Sequence, residues 1–279
     1  MNANQSDAPI PGTNGRPFRS LQISRAGAVD TVTLNRPQSL NGLTAGMVDE
    51  LLHYFQTLLF DESVRAVVLT GAGSAFCAGL DIKDFDRNSG DDVETILLFQ
   101  RRLAEIILAM RRCPQPIVAL INGAASGGGF ALVLASDIRI AAPAVRMNAA
   151  FIKVGLSACD VGVSYLLPRL VGSSIASELM LTGRFIEAER ALRIGLISEI
   201  VAKEELHAAG SRLANELLEA APLGLRLTKE GIAAGLAAPT LEIALAFENR
   251  NQSLCAANGD LREGLTAFLE KRKADYAKA

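Results

Sequence analysis

The 279-residue chain has no block of lysine or arginine long enough to form an electrostatic footprint for nucleic acid, and its formal net charge is only −2. Apolar runs such as IVALI are far too short to span a membrane. The opening MNANQSDAPIPGTNGRPF lacks the apolar stretch of a secretory signal. Rich in Pro, Gly, Asn and Ser, it reads as a disordered tail over residues 1–17. The four cysteines, Cys77, Cys113, Cys159 and Cys255, form no CxxC pair, which argues for reduced thiols in a cytoplasmic setting and against zinc. The only two histidines, His53 and His207, lie in helix-like segments and read as helix-surface residues. No internal repeat is visible, and no low-complexity tract occurs beyond the N-terminus.

What is present is a large apolar fraction, 49% of the residues, enough for a sizeable core. Residues 21–34 read as two short strands around a Gly-containing turn. Residues 44–60 carry apolar side chains at helical spacing, with Thr44 as N-cap. RAVVLTG, PQPIVALING and SDIRIAA read as buried strands, and DDVETILLFQRRLAEIILAMRRC as a long amphipathic helix. Strands alternating with helices predict an α/β fold. From about residue 172 onward nearly every segment is helical. The division predicted is a tail over 1–17, a core over 18–205 and a helical C-terminal part over 206–279.

INGAASGGGFALVLASDIRI, residues 121–140, places three consecutive glycines between a strand-like and a helix-like run. Three chemistries use such a turn. Phosphate binding fits poorly, because neither GxGxxG nor GxxxxGK[ST] occurs. A nucleophile elbow would make Ser126 the nucleophile of a hydrolase, but neither histidine shows signs of being its base. An oxyanion hole fits best: one N–H at the N-terminus of a glycine-entered helix, and a second from SAFCAGLDIKDF, residues 74–85. One such donor is typically worth ~3 kcal/mol of transition-state stabilisation.

AFCAGLDIKDF and INGAASGGGFALVLASDIRIA together resemble the paired signatures of the crotonase (enoyl-CoA hydratase/isomerase) superfamily. NRPQSLNGLT, LPRLVG, LTGRFIEAERALRIGLISEIV and EGLTAFLEKRK follow in that family's order, over roughly residues 20–275. The resemblance implies a ClpP-like α/β spiral of ββα units with a C-terminal helical trimerisation region, as a homotrimer or dimer of trimers. It implies an acyl-CoA thioester substrate of fatty acid metabolism, with no metal and no redox cofactor. The N–H groups of Leu80 and Gly128 would hold the thioester oxygen. Lys83 matches a position near the CoA phosphates. Phe268 and Lys271 match positions that reach the CoA of a neighbouring subunit. The plain alternative for these last three is an amphipathic helix and solvated lysines, and it weighs most for Lys83.

The two glutamates that hydratase members use fall on Ala131 and Phe151, which cannot exchange protons. Both would line an apolar pocket. Asp160, in VGLSACDVGVSYLLPRL, is the acid that remains. Its loop resembles the stretch of dienoyl-CoA isomerase that carries a catalytic aspartate before VG, with one extra residue, although that enzyme's other two acids again fall on Ala131 and Phe151. Desolvation would raise the Asp160 pKa and suit it to general acid–base work; alternatively Asp160 caps the following helix. Asp81 and Asp137 read as bracing residues, and Glu178, Glu248 and Asn249 carry no signal of their own. Three readings remain beside the hydratase: a double-bond isomerase using Asp160 or another enolate-based reaction, an acyl-CoA-binding protein with little catalysis of its own, and the Ser126 hydrolase.

Overall fold

The computed structural model describes residues 17–88 and 92–276; of the expected tail, only Pro17 lies among them. Strands β1 (Leu21–Ala26) and β2 (Val29–Leu34) form an antiparallel pair turning at Gly27. Helix α1 (Ala45–Thr57) follows, and the Thr44 hydroxyl oxygen accepts the Met47 N–H at 3.2 Å, the expected cap.

From there a three-part unit repeats. A strand joins a six-stranded sheet, a second short strand joins a four-stranded sheet, and a helix returns. β3 (Ala66–Gly71), β4 (Ala75–Cys77), α2 (Ile82–Asn88) and α3 (Val93–Arg112) make the first unit. β5 (Ile117–Ile121), β6 (Ala124–Ser126) and α4 (Gly128–Ala135) make the second, and β7 (Ile138–Ala141), β8 (Arg146–Asn148) and α5 (Val163–Val171) the third. α6 (Ser173–Thr182), β9 (Ile186–Glu187), α7 (Ala188–Arg193) and β10 (Glu199–Ile200) complete sheets of order β1-β2-β3-β5-β7-β10 and β4-β6-β8-β9. This is the α/β succession of ββα units that the resemblance implied.

β3 and β5 are buried throughout because both faces of the larger sheet are covered. Alternation divides their side chains. Val67, Leu69, Ile117 and Ala119 face the main core under α1, α3 and α4. Ala66, Val68, Val118 and Leu120 face α8 (Leu206–Leu218) through Leu206, Ala209 and Ala214. The helical C-terminal part therefore begins with a helix that belongs to the sheet. It continues with α9 (Pro222–Ala237), α10 (Leu241–Ala257) and α11 (Asp260–Leu269), which pack chiefly on one another.

One buried side chain joins α9 to the core. Lys229 donates to the Gln115 and Met110 carbonyls and lies 2.9 Å from the Asp137 carboxylate. Asp137 also pairs with Arg111 at 2.9 Å and accepts the Ile117 N–H. Asp137 is thus the bracing residue it was read to be.

Candidate active site

The loop that carries Leu80 is held by side chains that bond its neighbours' main chain. Asn41 is fully buried in the left-handed region (φ 55°). Its Nδ2 shares its two hydrogens among the carbonyls of Ala72, Ala75 and Phe76 at 2.9, 2.9 and 3.2 Å. Its Oδ1 accepts the Arg36 N–H. Arg36 in turn donates to the Gly42 carbonyl at 2.6 Å and to Asp81 Oδ2 at 2.9 Å. Asp81 Oδ1 accepts the Asp84 N–H and so starts α2. Burial pushes the Asp81 pKa up, but Arg36 and main-chain N–H groups outweigh it and hold the carboxyl below its usual range. Asp81 is a brace, as expected.

With these struts in place, residues 40–43 pair with 78–81. Ala78 N–H donates to Leu40, Leu43 N–H to Gly79 at 2.7 Å, and Asp81 N–H to Leu43. The C=O and N–H of one trans peptide point in opposite directions. Since the Gly79 carbonyl faces Leu43, the Leu80 N–H faces away from it. Among the described residues no acceptor takes that N–H.

The three glycines answer separate demands. Gly127 lies at φ 51° and accepts the Ala131 N–H at 3.0 Å, the first turn of α4. By the same peptide geometry the Gly128 N–H points out of the helix N-terminus, and no described acceptor takes it either. A methyl on Gly128 would lie 2.8 Å from Leu43 Cδ1, and one on Gly129 only 2.1 Å from the Cys77 carbonyl oxygen. The start of α4 is therefore pressed against both β4 and the Leu43 segment. Gly79, at φ 95°, completes the contact: a methyl there would sit 2.7 Å from the Ser126 carbonyl oxygen and 3.4 Å from the Gly128 nitrogen. The structure thus brings the Leu80 loop and the Gly128 turn together, each with an undonated amide. Two such fixed dipoles can stabilise charge developing on one oxygen.

Apolar side chains lie beside the Gly127–Gly128 turn. Ala131 is fully buried one turn into α4. Phe151, in a 3-10 turn over Ala150–Val154, places its ring 3.6 Å from where a methyl on Gly127 would be. Burial pushes the adjacent Cys77 thiol up to about 12, so it stays protonated and is no nucleophile. Asp160 sits half-buried on the loop before α5. Its Oδ1 accepts the Val161 N–H at 2.8 Å and a hydrogen from Gln100 Nε2 on α3. Burial raises its pKa, against the two donors. The side chain does not cap α5. The N-cap is Gly162, and no side chain bonds the first turn. α3 and α5 both pack on α4, which carries Gly128 and Ala131.

The other candidates lie further out. Lys83 is exposed in the first turn of α2. Phe268, 82% exposed on α11, and Lys271 just beyond it have no hydrogen bond or ring contact to the Leu80 and Gly128 loops. No hydrogen bond links Ser126 to a histidine. His53 is half-buried on α1 with its ring 6.3 Å from that of Phe18, more enclosed than the surface position expected, and His207 is exposed at the start of α8. Glu178 is held by Arg184 and Arg190. Sequence reading missed the work of Arg36, Asn41 and Gln100. The LNG triplet, with Asn at a left-handed position, was a usable sign for Asn41; Gln100 carries none. Among the described residues, no helix is long and apolar enough to cross a membrane.

Residues 24–279 match the sequence profile described as enoyl-CoA hydratase/isomerase. The chain belongs to the enoyl-CoA hydratase/isomerase family. Within this family it is 39% identical, over 251 residues, to a "probable enoyl-CoA hydratase" of Mycobacterium leprae, an alignment covering 88% of this chain and 85% of the relative. It is 35% identical to the 1,2-epoxyphenylacetyl-CoA isomerase of Escherichia coli K12 over 249 residues, 89% of this chain and 94% of that one. A crystal structure of enoyl-CoA hydratase from Bacillus anthracis superposes with a TM-score of 0.88 at 32% identity, covering 92% and 99% of the two chains. A hydratase and an isomerase of the family are thus similar to this chain over nearly its whole length.

Proposed function

We propose that the protein moves the double bond of an enoyl-CoA thioester, holding the thioester oxygen between the N–H groups of Leu80 and Gly128 and carrying one proton on Asp160. The carboxylate takes a proton from the carbon between the thioester carbonyl and the double bond. The C–H electron pair becomes a carbon–carbon double bond, and negative charge moves to the oxygen between the amides. The charge then returns, the far carbon takes the same proton back, and the double bond ends beside the carbonyl. No water is consumed, and the balance is one proton out and one proton in.

One observation carries this reading. Asp160 is a half-buried acid on the loop before α5, and α3 and α5, which flank that loop, both pack on α4, the helix of Gly128; Ala131 and Phe151, at the two glutamate positions, offer nothing to hold or activate a water. Isomerisation needs a single proton carrier, whereas hydration must also position water. Burial raises the Asp160 pKa toward the working range of a general base. Lys83 would meet the CoA phosphates. Phe268 and Lys271 would serve a neighbouring copy in a trimer joined through α9–α11.

The names of hydratase relatives favour a second reading, water addition. Both are tested with 3-enoyl-CoA and 2-enoyl-CoA substrates in D2O, following product and deuterium beside the carbonyl. The proposed reaction gives 2-enoyl-CoA from 3-enoyl-CoA and loses it in Asp160→Asn. Robust hydration that is indifferent to Asp160→Asn would overturn it. Tight acyl-CoA binding without turnover of any thioester would leave a binding protein instead.

A further inference from the structure

The two oxygens of Asp160 are not equivalent. Oδ1 accepts both hydrogen bonds, from the Val161 N–H at 2.8 Å and from Gln100 Nε2. Among the described residues Oδ2 accepts none. The main chain around the carboxyl is constrained as well. Val161 and Gly162 lie at φ 37° and 82°, and the Asp160 carbonyl takes the Val163 N–H at 2.8 Å. Rotating the carboxyl would break both bonds to Oδ1.

Gln100 comes from a different element. It lies on α3, whose Ile106, Ile107 and Met110 are anchored in the core. Ile107, two turns along from Gln100, lies against the Asp160 loop: a methyl on Gly162 would meet its Cγ2 at 3.4 Å. A helix held by buried side chains therefore delivers the amide, and the same helix supports the loop that presents the carboxyl.

Resting on the reading of Asp160 as the proton carrier, we infer that Gln100 is a positioning residue that occupies Oδ1 and leaves Oδ2 as the oxygen that takes and returns the proton. A neutral amide suits the task. It orients the carboxylate without forming the ion pair that Lys or Arg would impose, which would make the carboxylate a weaker base. The influences on Asp160 are burial, the Val161 N–H and Gln100, with no charged side chain of α3, α4 or α5 among them. Changes at residue 100 should therefore act on it directly.

The test compares Gln100→Met, of similar length but without a donor, with Gln100→Glu, which keeps the shape and adds a like charge. Methionine is a good helix former, so α3 should persist. Expected for Gln100→Met is a fall in kcat of about tenfold, the size of one charge-assisted hydrogen bond. KM should be little changed, and the acidic limb of the pH profile should move to higher pH. Gln100→Glu should move the limb further in the same direction. A merely structural glutamine would change thermal stability and leave the limb in place, and that result overturns the inference. The two readings fail separately. Full activity in Asp160→Asn removes the proton carrier itself. An inactive Asp160→Asn beside an unshifted Gln100→Met removes only the role of Gln100.

Discussion

Leu80 and Gly128 present main-chain amides, on loops held by main-chain pairing and, at Leu80, by the side chains of Arg36, Asn41 and Asp81; Asp160 presents a carboxyl held by two donors. Main-chain carbonyls and N–H groups of residues 36–43 and 72–81, joined by the Asn41 and Arg36 side chains, fix the Leu80 loop. The Leu80 side chain plays no part in the direction of its own N–H. The Asp160 carboxyl is held through the identity of residues 100 and 160. In the proposed reaction the first construction would hold the thioester oxygen, and the second would carry the proton.

Substitutions at the two regions should therefore differ in kind. Asp160→Asn should lower kcat by about 10²–10⁴-fold, with acyl-CoA affinity by calorimetry nearly unchanged; an equal loss of binding would erase the distinction. Gly79→Ala should wedge the Leu80 loop from α4, because its methyl falls 2.7 Å from the Ser126 oxygen at an unfavourable φ. A loss of about 10²–10³-fold is expected for every thioester tested, read by steady-state kinetics and by deuterium exchange beside the carbonyl. Arg36→Met removes one strut from the same loop, leaving Asn41 in place. It should cost about tenfold or less in kcat, measured alongside the melting temperature. Lys83→Ala should be the mildest, raising KM severalfold with kcat unchanged, as loss of an exposed ion pair implies.

The pH dependence sharpens the same contrast. Asp160 works as a base when ionised, and its folded pKa is raised. Activity should therefore fall as pH drops through a value above the ordinary aspartate range of about 3.9. Stability runs the other way. Burial favours the protonated form, so the carboxyl's contribution is present at low pH and is lost as pH rises through the raised pKa. Asp160→Asn should accordingly melt higher than the native protein at neutral pH while losing its activity.

β3 and β5 of the larger sheet were legible because they are apolar runs closed by glycine within two residues, and α1 because Thr44 precedes a periodic helix. The smaller sheet was not: β4, β6, β8 and β9 span two or three residues, too few for alternation to register. Gly79 and the triple glycine announced a close approach, but not that each glycine answers a different neighbour. Asp160 stood out as an acid among apolar residues. Gln100 was invisible, sixty residues away on a helix face with no motif, since only the packing of α3 brings it to the carboxyl.

The proposed chemistry turns on one carbonyl oxygen. A crystal structure with an unreactive acyl-CoA thioester should place that oxygen about 2.7–3.1 Å from the nitrogens of both Leu80 and Gly128. A thioester bound with its oxygen elsewhere, or with either peptide rotated so that its N–H turns away, would contradict the account.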